Sequence, residues 1–123
     1  MARKIEEKII NYLRDSENCG KSKNLSPRDS VGIAKGSGSG YVCLWGHRIF
    51  TVDRKGNVKF SFQGWQTSTT KSRIDALLSA FCSAGIYQKN YRLFFSSSVG
   101  EFPIDCCKIY TVKNGKPEEA SSI

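Results

Sequence analysis

A single histidine, His47, supplies all the imidazole in this sequence, and its five cysteines include no Cys-x-x-Cys pair. A tetrahedral zinc centre draws on clustered nitrogen and sulfur ligands, so no metal site is expected, and no cofactor. The cysteines (Cys19, Cys43, Cys82, Cys106, Cys107) are odd in number and no export signal precedes them, which points to free thiols in a reducing compartment. No apolar run reaches the about eighteen residues that span a bilayer, so a membrane partner is not expected. Neither an apolar leader nor an acid-poor transit helix opens the chain, since Glu6 and Glu7 stand in its first helical segment, and a cytoplasmic location follows.

Catalytic signatures are equally sparse. Paired carboxylates are missing from the basic part of the chain, and the Gly-rich stretch Lys35-Gly36-Ser37-Gly38-Ser39-Gly40 is neither a Walker A loop nor a dinucleotide fingerprint. Cys43, Trp45 and His47 alternate along one segment, yet nothing orients the histidine as the base of a nucleophile. The chain reads as non-enzymatic.

Acidic residues are the scarce charge: 19 Lys and Arg face 11 Asp and Glu, for a formal net charge of +8. The imbalance is local. Residues 1–20 hold four basic and four acidic side chains, and residues 74–123 hold five of each. Residues 21–73 carry ten basic side chains against Asp29 and Asp53, so the whole excess lies there. A field of this sign raises the encounter rate of polyanions. Its plainer reading is a solubilising surface.

At 123 residues the chain has the size of a single domain, 1–123. Ile5, Ile9, Tyr12 and Leu13 fall on one helical stripe over 1–15, and the Ser, Asn and Lys-rich stretch 16–30 reads as a mobile loop. Over 31–63 the period becomes two, in short antiparallel strands, with Asp53-Arg54-Lys55-Gly56-Asn57 as a hairpin turn that needs positive φ at Gly56. Asp29 and Asp53 read as turn and cap residues. A junction and helix take 64–85, the helix at about 71–84 carrying Ile74, Leu77, Leu78 and Phe81 on one stripe and ending at Gly85 in the left-handed conformation. Two further strands fall within 86–112, divided by a loop with Gly100 and Pro103, and 113–123 reads as a frayed tail. Strands grouped between two helices predict an α+β fold, an antiparallel sheet of about five strands with both helices packed on one face.

The junction Gly64-Trp65-Gln66-Thr67-Ser68-Thr69-Thr70-Lys71-Ser72-Arg73 holds the leading candidate site. Thr69 or Thr70 is a suitable N-cap, but Lys71 and Arg73 occupy a first turn whose dipole prefers acids. Amides, the hydroxyls of Thr67, Thr69 and Thr70, and two cations together would hold a phosphate or carboxylate. Capping alone explains the threonines, not the cations. Lys35 beside the glycines, Arg48 and Lys59 extend the anion-binding set, and Trp45 and Trp65 are candidates to stack on a base, against the default of a core tryptophan.

Leu44-Trp45-Gly46-His47-Arg48-Ile49 and, after the hairpin, Gly64-Trp65-Gln66-Thr67-Ser68-Thr69-Thr70-Lys71-Ser72-Arg73-Ile74 resemble a group of small tailed-phage proteins. That group carries a Leu-x-Gly-x-x-Ile stretch and a Gly-Trp-x-Thr-x-Thr-Thr-x-x-Arg-Ile junction. It commonly has His where Trp45 stands here. The resemblance implies a phage accessory protein acting in the host cytosol. Together with the charge it gives the expectation of binding to nucleic acid or a phosphate-bearing small molecule, to blunt a bacterial defence system. The alternative is an inhibitor that docks on a host defence protein through its aromatic strands; an enzyme of unrecognised type and a structural virion component rank third and fourth. Nothing in the sequence fixes the oligomeric state.

Overall fold

The computed structural model describes residues 4–123. Helix α1 (Lys4–Arg14) buries Ile9, as its apolar spacing predicts, together with Ile10, while Ile5, Tyr12 and Leu13 are half-buried. Glu6 lies three and four residues before them, on the same face, and is buried with them. A 3₁₀ turn at Ser16–Asn18 follows, its first amides capped by the Asp15 carboxylate, which accepts the Glu17 N–H.

The strands are β1 (Ser22–Asn24), β2 (Asp29–Ile33), β3 (Gly40–Leu44), β4 (His47–Val52) and β5 (Val58–Ser61), then β6 (Gly85–Lys89), β7 (Arg92–Ser97), β8 (Gly100–Ile104), β9 (Ile109–Lys113) and β10 (Lys116–Ala120). Helix α2 (Ser68–Cys82) stands between β5 and β6. Seven strands form one sheet in the order β1-β2-β3-β4-β5-β9-β10, and β6-β7-β8 form a second; every pairing within them is antiparallel. The fold is α+β, as expected, but its main sheet has seven strands rather than about five.

The additional strands lie where the sequence reads as loop or tail. β1 falls in the polar stretch 16–30 and β10 in the segment 113–123, and both are outermost strands of the sheet. Backbone pairing with β2 and β9 forms them, so no apolar alternation announces them. β8 contains Pro103 and is the outer strand of the small sheet, where a missing N–H breaks no ladder. Gly56 adopts φ 86 in the predicted hairpin turn, and the Asp53 carboxylate accepts the Lys55 and Asn57 amides.

α1 packs on β2 and β3, and α2 packs on β4, β5 and β6. Ile9, Val31, Val42, Phe50, Phe60, Ile74, Leu77 and Phe95 join in one apolar cluster between these layers. Phe60 links the two sheets, with its ring 5.9 Å from that of Phe95. α2 begins three residues before the expected start because Thr67, rather than Thr69 or Thr70, is its N-cap: the Thr67 hydroxyl oxygen accepts the Thr70 N–H. Its C-terminal end is also shifted, as Ser83 rather than Gly85 takes the left-handed conformation, at φ 53.

An ion cluster crosses this core. Arg73 on α2 donates from Nε to Asp29 Oδ1 at 2.8 Å and from Nη1 to Glu6 Oε2 at 2.7 Å, and Ser72 Oγ donates to the same Glu6 oxygen. All three charged residues are at most 2% exposed. Burial acts to raise the Asp29 carboxyl, but hydrogen bonds from Arg73 and Ser26 and the charges of Arg73 and Arg28 outweigh it and hold it below the ordinary carboxylate value. Asp29 is thus an ion-pair residue as well as a turn residue. No helix among the described residues is long and apolar enough to cross a membrane.

Candidate functional site

Two tight turns set the site. Between β3 and β4, Trp45 has φ 53 and Gly46 φ 78; between β5 and α2, Gln63 has φ 53 and Gly64 φ 80. Positive φ at both central residues is the pattern of a type I′ turn. The second turn closes with the Trp65 N–H donating to the Phe62 carbonyl at 2.8 Å, so Trp65 is its fourth residue. Turning outward at these points leaves both indoles in solvent, Trp45 62% and Trp65 52% exposed. Neither is the core tryptophan that composition makes the default.

Between them lies an apolar hollow of about 180 Å³. Leu44, Ile49 and Phe62 contribute its apolar lining, and His47, Thr67 and Thr69 also border it. The His47 and Trp65 rings stand 6.3 Å apart and tilted. Gln63 joins the two turns by donating from Nε2 to the Arg48 carbonyl at 2.7 Å.

Two exposed arginines lie near these turns but do not line the hollow. The Trp45 N–H donates to the backbone carbonyl of Arg28, whose guanidinium is 3.7 Å from Asp29, and Arg48 follows His47 on β4 and faces the open side of the sheet. The Arg48 guanidinium lies over the Tyr41 ring, 4.5 Å from its centroid. Tyr41 in turn lies over Gly32, where an added Cβ would clash with its hydroxyl. On this face of the sheet Tyr41, Thr51 and Lys59 are cross-strand neighbours, and with Arg48, Ser37 and Ser39 they border a second hollow of about 360 Å³. Lys59 Nζ donates to the Ser122 carbonyl at 3.2 Å.

The predicted residues therefore divide. Arg73 is buried in the ion cluster and does not reach an external anion; the cation that seemed out of place at the helix start neutralises Glu6 and Asp29. Thr70 is buried, with its hydroxyl oxygen 2.9 Å from that of Thr67. Lys71 Nζ donates to Gln88 Oε1 at 2.9 Å. Thr67 and Thr69 border the tryptophan hollow, whereas Arg48 and Lys59 border the hollow on the open sheet face. Lys35 is exposed and lines neither, its stem packing along Gly20. Arg28 and Tyr41 escaped the sequence reading; Arg28 is placed by a backbone bond between distant segments, which has no local signal. Burial pushes the Cys82 thiol up to about 11, so it stays protonated at neutral pH. Among the described residues one group could hold a metal ion, Asp105 with Cys106 and Cys107, although the sequence predicts none.

No curated protein and no solved structure matches the chain. The family model described as Kyanoviridae Gp96 protein matches residues 2–111. With most of its length matched, the chain belongs to the Kyanoviridae Gp96 protein family, a phage protein group.

Proposed function

We propose that this phage protein is a non-enzymatic accessory factor that binds a nucleotide or single-stranded nucleic acid in the host cytosol. A base stacks in the hollow between Trp45 and Trp65, and the sugar–phosphate chain that runs on from it reaches exposed Arg28 and, on the open face of the sheet, Arg48. One observation carries the reading: two exposed indoles, held outward by positive-φ turns, border an apolar hollow. Aromatic platforms with adjacent cations bind single strands without a sequence code, because every base has a π-face. Capture of such a ligand is a way to blunt a bacterial defence that recognises or signals through nucleic acid.

Fluorescence anisotropy of labelled single-stranded oligonucleotides, with cyclic nucleotides as competitors, tests this. Trp45→Ala and Trp65→Ala each remove about 1–3 kcal/mol of stacking, an affinity loss of about 5- to 150-fold. Affinity unchanged in both variants overturns the reading. A second reading, docking on a host protein, is favoured by the same exposed apolar area. It predicts no oligonucleotide binding and recovery of one host protein in stoichiometric amount from infected cells.

A further inference from the structure

The turn between β8 and β9 lies outside this site and presents three metal-ligating residues in succession, Asp105, Cys106 and Cys107. Neighbouring side chains on a strand point to opposite faces, so convergence of adjacent cysteines depends on the bend in the chain here. Their ligand atoms all lie within 4.8 Å of one another. The two sulfurs are 3.8 Å apart. A tetrahedral centre with metal–sulfur bonds of about 2.3 Å sets two thiolates about 3.8 Å apart, so the sulfur pair already spans one edge of such a centre. Sulfur–oxygen edges of about 3.5 Å complete the figure, so the exposed Asp105 carboxylate draws inward on loading from a spacing that is at most 4.8 Å.

Four hydrogen bonds hold the turn in this shape. The Asp105 N–H donates to Tyr110 Oη at 2.7 Å, the Lys108 N–H to the Asp105 carbonyl at 3.2 Å, and the Cys107 N–H to Asp105 Oδ1 at 2.8 Å. The fourth comes from the Gly64 N–H, which donates to the Cys106 carbonyl at 2.7 Å. The bond to Oδ1 orients the carboxylate and leaves Oδ2 to act as the ligand, the usual division between an ion's ligands and the groups that position them. Asp105 and Cys107 are exposed and Cys106 half-buried, so an ion enters directly from solvent.

We propose that Asp105, Cys106 and Cys107 bind one thiophilic divalent cation, Zn²⁺ in the cell, with the fourth position left to water. Three protein ligands and one open position is an arrangement zinc accepts. Both cysteines bind as thiolates, so loading releases two protons to solvent. The ion also stiffens the turn to which the Gly64 amide is tied, next to Trp65.

Titration of the reduced, full-length chain with Co²⁺ tests the site. The expected result is one cobalt per chain, with thiolate-to-cobalt charge transfer and the intense visible bands of tetrahedral cobalt, displaced by Zn²⁺. Cys106→Ser and Cys107→Ser each weaken binding by about tenfold or more, while Cys19→Ser and Cys43→Ser leave it unchanged. In the unsubstituted protein, Zn²⁺ slows alkylation of Cys106 and Cys107, followed by mass spectrometry, and leaves Cys19 unprotected. A pale octahedral spectrum, half an equivalent of cobalt per chain, or unprotected Cys106 and Cys107 overturns the proposal.

Discussion

At the scale of single residues the informative position is Trp45. The central positions of a type I′ turn favour Asn, Asp and Gly, because a bulky side chain at positive φ crowds its own backbone. Trp45 holds φ 53 there, at a penalty on the order of 1 kcal/mol. Such strain persists where a side chain serves something besides stability. Trp45→Asn is therefore expected to raise the stability of the protein by about 0.5–1 kcal/mol, seen as a higher Tm, while lowering oligonucleotide affinity about tenfold. Trp65 closes its turn without positive φ, so Trp65→Asn lowers affinity with no gain in Tm. Equal Tm shifts in the two variants would refute the strain argument. Gly56 was legible from its turn chemistry, but the exposure of the tryptophans was not. Hydrophobicity predicts their burial, and only the two tight turns, one in the β3–β4 hairpin and one before α2, turn them outward.

At the scale of elements, α2 explains what its sequence left contradictory. Its first turn carries Lys71 and Arg73 where acids are preferred, which on sequence grounds suggests a bound anion. The anions are internal. Arg73 falls in register with Thr70, Ile74 and Leu77 on the buried stripe, and Glu6 falls in register with Ile9 and Ile10 on α1. A charge in phase with an apolar stripe is the signal available in the sequence for such a cluster. Its partner across the fold is not readable, because residues 6, 29 and 73 meet only when both helices lie on the sheet. Arg73→Met is expected to destabilise the protein by about 3–5 kcal/mol in urea denaturation, since two buried carboxylates lose their counter-ion. Adding Glu6→Gln and Asp29→Asn to Arg73→Met recovers part of that loss. The acid response follows from Asp29, whose carboxyl is held in the folded state below the ordinary carboxylate value. Its stabilising contribution is complete above the unfolded value and is lost as pH falls through the folded one, because the unfolded chain binds the proton first. Urea midpoints that fall no more steeply below about pH 4 in the parent than in Asp29→Asn would contradict this assignment.

For the molecule as a whole, the sequence carried the fold class and the four strands from β2 to β5, where apolar alternation follows from one buried face. It missed β1, β6, β8 and β10, the outer strands of the two sheets. Charge behaves similarly: the sum over residues 21–73 was legible, and its distribution depended on the fold. Arg73 is internal and Lys71 is bonded to Gln88, which leaves Lys21, Lys23, Arg28, Lys35, Arg48, Arg54 and Lys55 exposed and Lys59 half-buried. If Arg28 and Arg48 each neutralise one phosphate of a single strand, the logarithm of the affinity falls against the logarithm of salt with a slope of about −1.4. Removing one contact by Arg48→Ala brings the slope to about −0.7. Trp45→Ala weakens binding at every salt concentration and leaves the slope where it was, because stacking releases no counterions. The two variants thus separate the roles of the site: one changes the steepness of the line and the other only its height. A flat line for the parent protein would remove phosphate from the interaction and leave the aromatic surface to a protein partner.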